Sequence, residues 1–367
     1  MNATETLAEA RRLMTVCNSC RYCEGLCAVF PAMEERRFFN DGDLNYLANL
    51  CHACGACYVD CQFAPPHEFN VNVPAVLAKT RAESYAAYAW PRALAPLFAR
   101  NGLAISLIAA ASVAVFVLGF VAASAPSAMW SSRQGPGAFY AVMPHNAMAG
   151  LFGAVFVYAV FAMAMGVRAF WRDIGEPAAT FAEPKSLWRA MREAGGLRYL
   201  DGGGAGCHIG DDRPKDRRRL FHHLTFYGFL LCFASTSVAT FYHYAGYEAP
   251  YPLYDLPVVL GIVGGLGLTI GTAGLYFAKR NIDPTLLDQA PSGMDTAFVA
   301  MLFLVGASGL LLTALRETPA MGIILSSHLG FVFALFLSMP YSKMVHGLYR
   351  VLALTRYAKE MRVSENG

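Results

Sequence analysis

The sequence predicts an all-α protein in two parts: a helical, cysteine-rich domain over residues 1–100 and a six-helix membrane domain over residues 101–350. Eight of the ten cysteines fall in two identical runs near the start of the chain. Beyond them lie six apolar stretches of about 20 residues, the length that a helix needs to cross a bilayer. The composition agrees, because 56% of the 367 residues are hydrophobic and 15% are charged, against about a quarter charged in soluble domains.

The two cysteine runs share the pattern C-x2-C-x2-C-x3-C, the bacterial ferredoxin spacing for [4Fe–4S] clusters. In that arrangement three cysteines of one run hold three corners of a cluster, and the fourth cysteine ligates the cluster of the other run. We therefore expect two clusters, the first held by Cys17, Cys20, Cys23 and Cys61 and the second by Cys51, Cys54, Cys57 and Cys27.

A single run of this kind would also fit a zinc ribbon or a disulfide framework, but its repetition favours clusters. Ala28 and Gln62 follow the fourth cysteines, where the ferredoxin pattern usually has proline. Leu7, Ala10 and Leu13 follow helical spacing into the first run, which favours an α-helical ferredoxin. Cluster thiolates indicate a reducing compartment, and the sequence shows no signal peptide, so this domain is expected in the cytoplasm.

The apolar stretches predict six membrane spans with alternating direction. Basic residues are concentrated in the loops on the side of the cysteine domain, and only Arg133 and Arg316 fall in the opposite loops. This asymmetry satisfies the positive-inside rule, and it predicts a membrane protein with both termini in the cytoplasm and a short tail over 351–367. The predicted spans are 102–124, 145–167, 221–245, 256–278, 295–315 and 321–346.

A cytoplasmic loop over 168–220 is the longest predicted connection. Its glycine tract, 202–206, lacks a nucleotide-binding pattern and is interpreted as a linker, and the adjoining Cys207 and His208 are assigned a structural role. The basic run that ends at Arg219 is expected to anchor the third span to lipid headgroups, with docking of an acidic partner as the alternative. A net charge of only +3 gives no case for nucleic-acid binding.

Ionisable residues inside membrane spans usually mark function, because they are costly to bury in lipid. Five histidines fall on the third and sixth predicted spans, which run antiparallel and so present two histidine levels, one near each membrane face. Facing histidines on two helices are what a b-type haem needs for axial ligation. The candidates are His222, His223, His243, His328 and His346.

The helical angle of about 100° per residue separates these candidates further. His328 and His346 would point the same way on one continuous helix, and His222 aligns better with His243 than His223 does. We therefore expect His222 opposite His346 near the cytoplasm and His243 opposite His328 near the outer face, with one or two haems. His145 is a reserve ligand. The absence of a C-x-x-C-H motif excludes covalent c-type attachment.

Several stretches together resemble tricarballylate utilization protein B, also called citrate utilization protein B. They are the double cysteine run, P-P-H-E-F-N-V-N-V-P (65–74), R-R-L-F-H-H-L-T-F-Y-G-F-L-L-C-F-A-S-T (218–236) and M-P-Y-S-K-M-V-H-G-L-Y-R (339–350). The resemblance implies two [4Fe–4S] clusters and b-type haem in a six-transmembrane-helix, cytochrome b-like bundle. It also implies transfer of electrons from the reduced FAD of a separate flavoprotein, tricarballylate dehydrogenase, to membrane quinone.

Three other readings of the sequence stay open at this stage, one of them a purely structural membrane anchor, which would show no haem absorbance. A membrane subunit of a thiol or sulfur redox complex, similar to heterodisulfide reductase systems, would use the same cofactors with a different partner. A tricarballylate or citrate transporter would instead need broken helices in matching halves of the membrane domain, and no internal repeat is evident. The chain has no flavin-binding or nucleotide-binding motif of its own, so substrate chemistry is expected to belong to a partner.

Overall fold

A computed structural model describes residues 5–99, 101–123, 130–132, 134–200, 217–280 and 292–366. Among these residues all regular secondary structure is helical, which confirms the predicted fold class. The cysteine domain contains five helices: α1 (Glu5–Cys20), α2 (Val29–Glu34), α3 (Asp41–Leu50), α4 (Ala56–Val59) and α5 (Val73–Tyr88). The short helix α6 (Pro96–Ala99) leads into the membrane domain.

Within the described residues, six helices are long and apolar enough to cross a membrane, as the sequence predicted. The observed spans begin and end within a few residues of most of the predicted bounds, because the apolar runs set their lengths. The helices are α7 (Asn101–Ala123), α8 (His145–Asp173), α10 (Arg217–Tyr244), α11 (Leu256–Arg280), α12 (Ser292–Leu315) and α13 (Met321–Ser338), with the amphipathic α9 (Pro184–Gly195) between α8 and α10.

The sixth span differs from the prediction at its C-terminal end. Helix α13 stops at Ser338, and a 3-10 turn that contains Pro340 separates it from α14 (Val345–Asn366). Proline has no N–H and fixes its backbone angle, so the helix cannot continue unbroken through this position. His346 therefore lies in the first turn of α14, and the expectation that it shares one continuous helix with His328 is wrong.

Helix α14 joins the two parts of the protein instead of forming a tail. Its residues Tyr349, Leu352 and Leu354 are buried in the same hydrophobic core as Leu44 of the cysteine domain and Phe170 of α8. The predicted boundary at residue 350, between the membrane domain and the tail, would divide this helix. The cysteine domain is consequently packed against the membrane helices through one shared core.

An ion-pair network reinforces this packing. Arg36 bonds to Asp43 at 2.8 Å and also pairs with Glu360 of α14, and Arg356 donates to the same Glu360 carboxylate at 2.8 Å. The Arg36 side chain is only 8% exposed. Removing one partner from such a buried network leaves an unpaired charge, at a cost of about 3–5 kcal/mol.

Helices α10 and α11 approach each other closely through glycines. A Cβ atom at Gly228 would lie 2.5 Å from the backbone nitrogen of Leu268, and one at Gly264 would lie 2.7 Å from the backbone nitrogen of Cys232. Small residues at such contacts are typical of membrane helix pairs, because they let the backbones pack directly. The third and fourth spans therefore form a tight hairpin.

We expect Gly264→Ala to destabilise the protein by about 1–3 kcal/mol, since the new methyl group meets backbone atoms that cannot move aside. Gly150→Ala on α8 is the matched control, because a Cβ there meets nothing within 4 Å. That control should be neutral or slightly stabilising, since alanine favours helices over glycine by up to about 1 kcal/mol. Thermal unfolding in detergent measures both, and equal midpoints for the two variants would contradict the close packing.

Candidate iron–sulfur and histidine site

The eight cysteines form two groups around neighbouring cavities, and each group contains the fourth cysteine of the opposite run. None of the eight is in a disulfide. Cys57 lines both cavities, so the two groups are adjacent. Besides Cys57, the cysteines that line the first cavity are Cys17, Cys20, Cys23 and Cys61. Those that line the second cavity with Cys57 are Cys27, Cys51 and Cys54.

Helix ends and tight turns position these thiols. Cys17 and Cys20 lie in the last turn of α1, and Cys51 caps the C-terminal end of α3. The chain then turns through Gly55, whose φ of 86° lies in the left-handed region that glycine adopts without strain. In each run, a helix end and the loop that follows it thus place the three cysteines of the C-x2-C-x2-C pattern around one cavity.

Gln62 follows the fourth cysteine of the second run, where the usual ferredoxin pattern has proline. Its side-chain amide lies 3.9 Å from the sulfur of Cys20, within hydrogen-bonding distance for a sulfur acceptor. Hydrogen bonds to cluster sulfurs are one of the means by which proteins set cluster potentials. The departure from proline thus adds a polar contact to the first cysteine group.

The thiols are held in surroundings that disfavour their ionisation without a metal. Burial, with the neighbouring cysteines, raises the pKa of Cys17 to about 12 and that of Cys23 to about 11. The pKa values of Cys27 and Cys57 are raised by the same causes. Thiolates packed this closely need cations between them, and iron would supply that charge. In the part of the chain that the structure describes, no group of three His, Cys, Asp or Glu side chains is placed to hold a single metal ion.

The inner histidine pair is His222 on α10 and His346 on α14. Their ring centroids are 6.0 Å apart and their planes are inclined by 74°. A metal–imidazole bond is about 2 Å long and the ring centre lies about 1 Å further, so two imidazoles on opposite sides of one metal have centres roughly 6 Å apart. The separation of this pair therefore fits two axial ligands of one iron.

The protonation of His346 also suits a metal ligand. Its Nδ1 contacts the backbone carbonyl of Lys343, and a carbonyl can only accept, so Nδ1 carries the proton and Nε2 keeps its lone pair. Such a contact is the usual outer-shell partner of a metal-bound histidine. Burial, together with nearby cations, lowers the pKa of His346 well below its usual range and keeps the ring neutral. His223 instead stacks on Tyr227 at 5.9 Å.

The outer histidines are arranged differently from the expectation. The ring of His243 stacks on that of His145 at 3.4 Å and 21°, so its neighbour is the reserve candidate on α8 instead of His328. His328 and His145 both line a cavity of about 360 Å³ between the spans. The Nδ1 atom of His328 lies 2.9 Å from the hydroxyl of Ser308, while the Nδ1 atoms of His145 and His243 are buried without a partner.

Arginines connect the second cysteine group to the inner histidines. Arg350 donates to the carbonyl of Cys51 at 2.7 Å and to that of Asn49 at 3.2 Å, and it contacts the ring of His52. Arg218 donates to the carbonyl of His52 at 3.3 Å. Arg218 precedes His222 by four residues and Arg350 follows His346 by four, so on both helices arginine and histidine share a face.

The roles of Arg218 and Arg350 were missed by the sequence interpretation. Arg218 bonds to the cysteine loop and Arg219 to the carbonyl of Gly196 at 2.9 Å, where headgroup anchoring was expected. The i, i+4 spacing of arginine and histidine is visible in the sequence, but this spacing does not indicate which groups the arginines bind. The glycine tract over 202–206, with Cys207 and His208, lies outside the described residues.

The six spans and the paired cysteine groups define a multi-pass membrane protein with an N-terminal iron–sulfur domain. The chain matches the family described as citrate utilization protein B over residues 96–367, and the Fer4-like domain of that family over residues 10–87. It is 47% identical to citrate utilization protein B of Escherichia coli over 363 residues, 98% of this chain and 94% of the relative. No solved structure matches the chain. The chain belongs to the citrate utilization protein B family, as its sequence resemblance predicted.

We expect Arg350→Ala to loosen the Cys51–His52 loop, because the Asn49 carbonyl loses a charged donor and the Cys51 carbonyl keeps only that of Arg81. Each such bond contributes about 1.5–3 kcal/mol. Amide hydrogen exchange over residues 49–55 should accelerate roughly 10- to 100-fold. Arg12→Ala is the control, since Arg12 also donates to a backbone carbonyl, that of Phe69 at 3.0 Å, which lies outside residues 49–55. Its exposed ion pair with Glu9 contributes little. Unchanged exchange in the Arg350 variant would show that this arginine does not hold the loop.

Proposed function

We propose that this protein is a membrane electron-transfer component that reoxidises the reduced FAD of a partner flavoprotein, tricarballylate dehydrogenase. Electrons enter through two [4Fe–4S] clusters in the cytoplasmic domain and leave to the membrane quinone pool by way of b-type haem. The FAD and the substrate chemistry belong to the partner. The family assignment, the Fer4-like domain and the six spans support this proposal.

The cysteine grouping supports one ligand set for each cluster. We assign the first cluster to the cavity nearer the exposed Tyr22, which is 71% exposed, and the second to the cavity that includes the buried Cys51. The first cluster is then the entry point for electrons from outside the chain. The assigned ligands are Cys17, Cys20, Cys23 and Cys61 for the first cluster, and Cys51, Cys54, Cys57 and Cys27 for the second.

The observation that carries the proposal is the contact between the second cysteine group and the inner histidine pair. Arg350 and Arg218 hold the Cys51–His52 backbone against the same helix ends that bear His346 and His222. A soluble domain merely tethered to a membrane anchor would not need this contact. An electron-transfer chain needs it, because its redox centres must lie close together.

The histidines support b-type haem in two positions. His222 and His346 would hold one, and His328, with the His145–His243 pair across the 360 Å³ cavity, would hold a second. The Nδ1 atoms of His145, His222 and His243 are buried without a hydrogen-bond partner, and a bound group would satisfy them. Haem would supply a one-electron iron centre within the apolar bilayer.

The proposed orientation places the cysteine domain in the cytoplasm of a bacterium, at the inner membrane. Six spans return the chain to the side on which it began, and α14 packs against the cysteine domain after the sixth span. The excess of basic residues in the loops on that side supports the same orientation.

Replacing Cys54 with serine should abolish electron transfer from reduced flavin to quinone while leaving membrane insertion intact. The second cluster would lose a thiolate ligand, and iron–sulfur clusters depend on cysteine ligation. Cys207→Ser is the matched control, because Cys207 belongs to neither cysteine run. The measurement is quinone reduction by proteoliposomes supplied with photoreduced flavin, with electron paramagnetic resonance to count clusters. Undiminished quinone reduction with that cluster absent would contradict the proposed route.

His222→Ala and His346→Ala should each remove the same haem, because both imidazoles are needed to hold its iron. His223→Ala is a matched control, since the neighbouring ring stacks on Tyr227 instead. Pyridine haemochrome assay of the purified variants measures the loss. Equal haem content in the His346 and His223 variants would show that His222 and His346 do not hold a haem.

A further inference from the structure

A second cavity lies beside the outer histidines and adjoins the larger cavity that contains His328. Its volume is about 240 Å³. Three of its lining residues stand at the ends of spans: Tyr140 before α8, Tyr251 before α11 and Arg316 after α12. These ends lie on the membrane face opposite the cysteine domain, because α8 begins at His145 and α10 ends at Tyr244 on that face.

The cavity wall is mostly apolar with a few polar groups at one end. Met143, Leu325 and Val258 are among the apolar residues that line it. Arg316 donates from Nη1 to the carbonyl of Tyr251 at 2.7 Å, and its Nε lies 3.7 Å from the carboxylate of Glu317. A guanidinium has five N–H donors, so others remain for a ligand. An apolar cavity with few convergent polar groups is the usual form of a small-molecule site.

The cavity adjoins the outer histidines. The ring of Tyr140 lies 5.0 Å from that of His243 and 5.4 Å from that of His145. Met148 and Leu329 line both this cavity and the larger one that contains His328. A flat ring bound here would therefore be separated from the proposed outer haem position by shared side chains alone.

We propose that this cavity binds the ring of a quinone at the outer face of the membrane, an inference that rests on the proposed electron-transfer function. The apolar wall would contact the quinone ring and its isoprenoid tail. The phenol of Tyr140 and the guanidinium of Arg316 would donate hydrogen bonds to the two quinone oxygens. Two electrons from the cluster domain and two protons from water at the outer face convert the quinone to a quinol. No other reactant is required.

The test uses full-length protein in nanodiscs and an azidoquinone photolabel with a short isoprenoid tail. Val258→Phe fills the cavity, and Val259→Phe adds the same volume at a neighbouring residue that is 41% exposed. Label should enter residues 139–143, 249–258 or 312–329 in the unmodified protein. It should fall at least tenfold in the Val258 variant, because the added ring occupies the volume that the quinone ring needs, and remain unchanged in the Val259 variant.

A polar variant tests the hydrogen bonds separately from the cavity volume. Tyr140→Phe should weaken labelling about three- to tenfold, the effect of losing one neutral hydrogen bond. Competition by an alkylated quinone should remove the label, whereas the same alkyl chain without a ring should not. Competition by the chain alone would mean that the cavity holds lipid, which would overturn the proposal.

Labelling near the cytoplasmic ends of the spans, or equal labelling of both valine variants, would also overturn the proposed location. The haem spectrum of the same samples distinguishes this failure from a failure of the proposed function. Normal haem content with label elsewhere would leave the electron-transfer proposal standing and exclude only this cavity. Absence of haem would count against the function itself.

Discussion

The arrangement depends on two arginines that bind backbone carbonyls of one cysteine loop. Arg350 holds Cys51 and Asn49, and Arg218 holds His52, each from a helix whose next turn bears a histidine. Carbonyl oxygens attract the guanidinium groups, and the guanidinium groups in turn fix the loop relative to the membrane helices. The positions of the second cysteine group and the inner histidine pair are therefore coupled through direct hydrogen bonds among five residues instead of through a flexible linker.

This contact is maintained by the packing around it. Helix α14 shares a core with the cysteine domain, and Arg36, Asp43, Arg356 and Glu360 form a buried ion network across the same junction. Because a buried network is costly to break at a single member, the junction resists small displacements. A rigid junction suits electron transfer, which needs fixed distances, better than it suits a transport cycle, which needs two arrangements of the membrane helices.

The local features of the protein could be predicted from sequence. Cysteine spacing identified the iron–sulfur domain, and apolar length identified the six spans, because each pattern reflects a constraint acting within one segment. Contacts between distant segments could not be predicted in this way. The stacking of His243 on His145 depends on how α8 and α10 meet, and the docking of α14 depends on Leu352 and Leu354, which resemble ordinary amphipathic residues in the sequence. Pro340, followed by Ser342 and Lys343, is the signal in the sequence that the sixth span ends early.

The most direct test of the account is a reduced-minus-oxidised absorption spectrum of purified protein fully loaded with iron and sulfide, with the haem counted as its pyridine complex. The account holds that the helix ends bound by Arg218 and Arg350 carry histidines that ligate haem iron. It predicts Soret and α bands of a b-type haem, at least one haem per chain, and bleaching of the bands by added quinone. A protein with intact clusters and no Soret absorbance would contradict it.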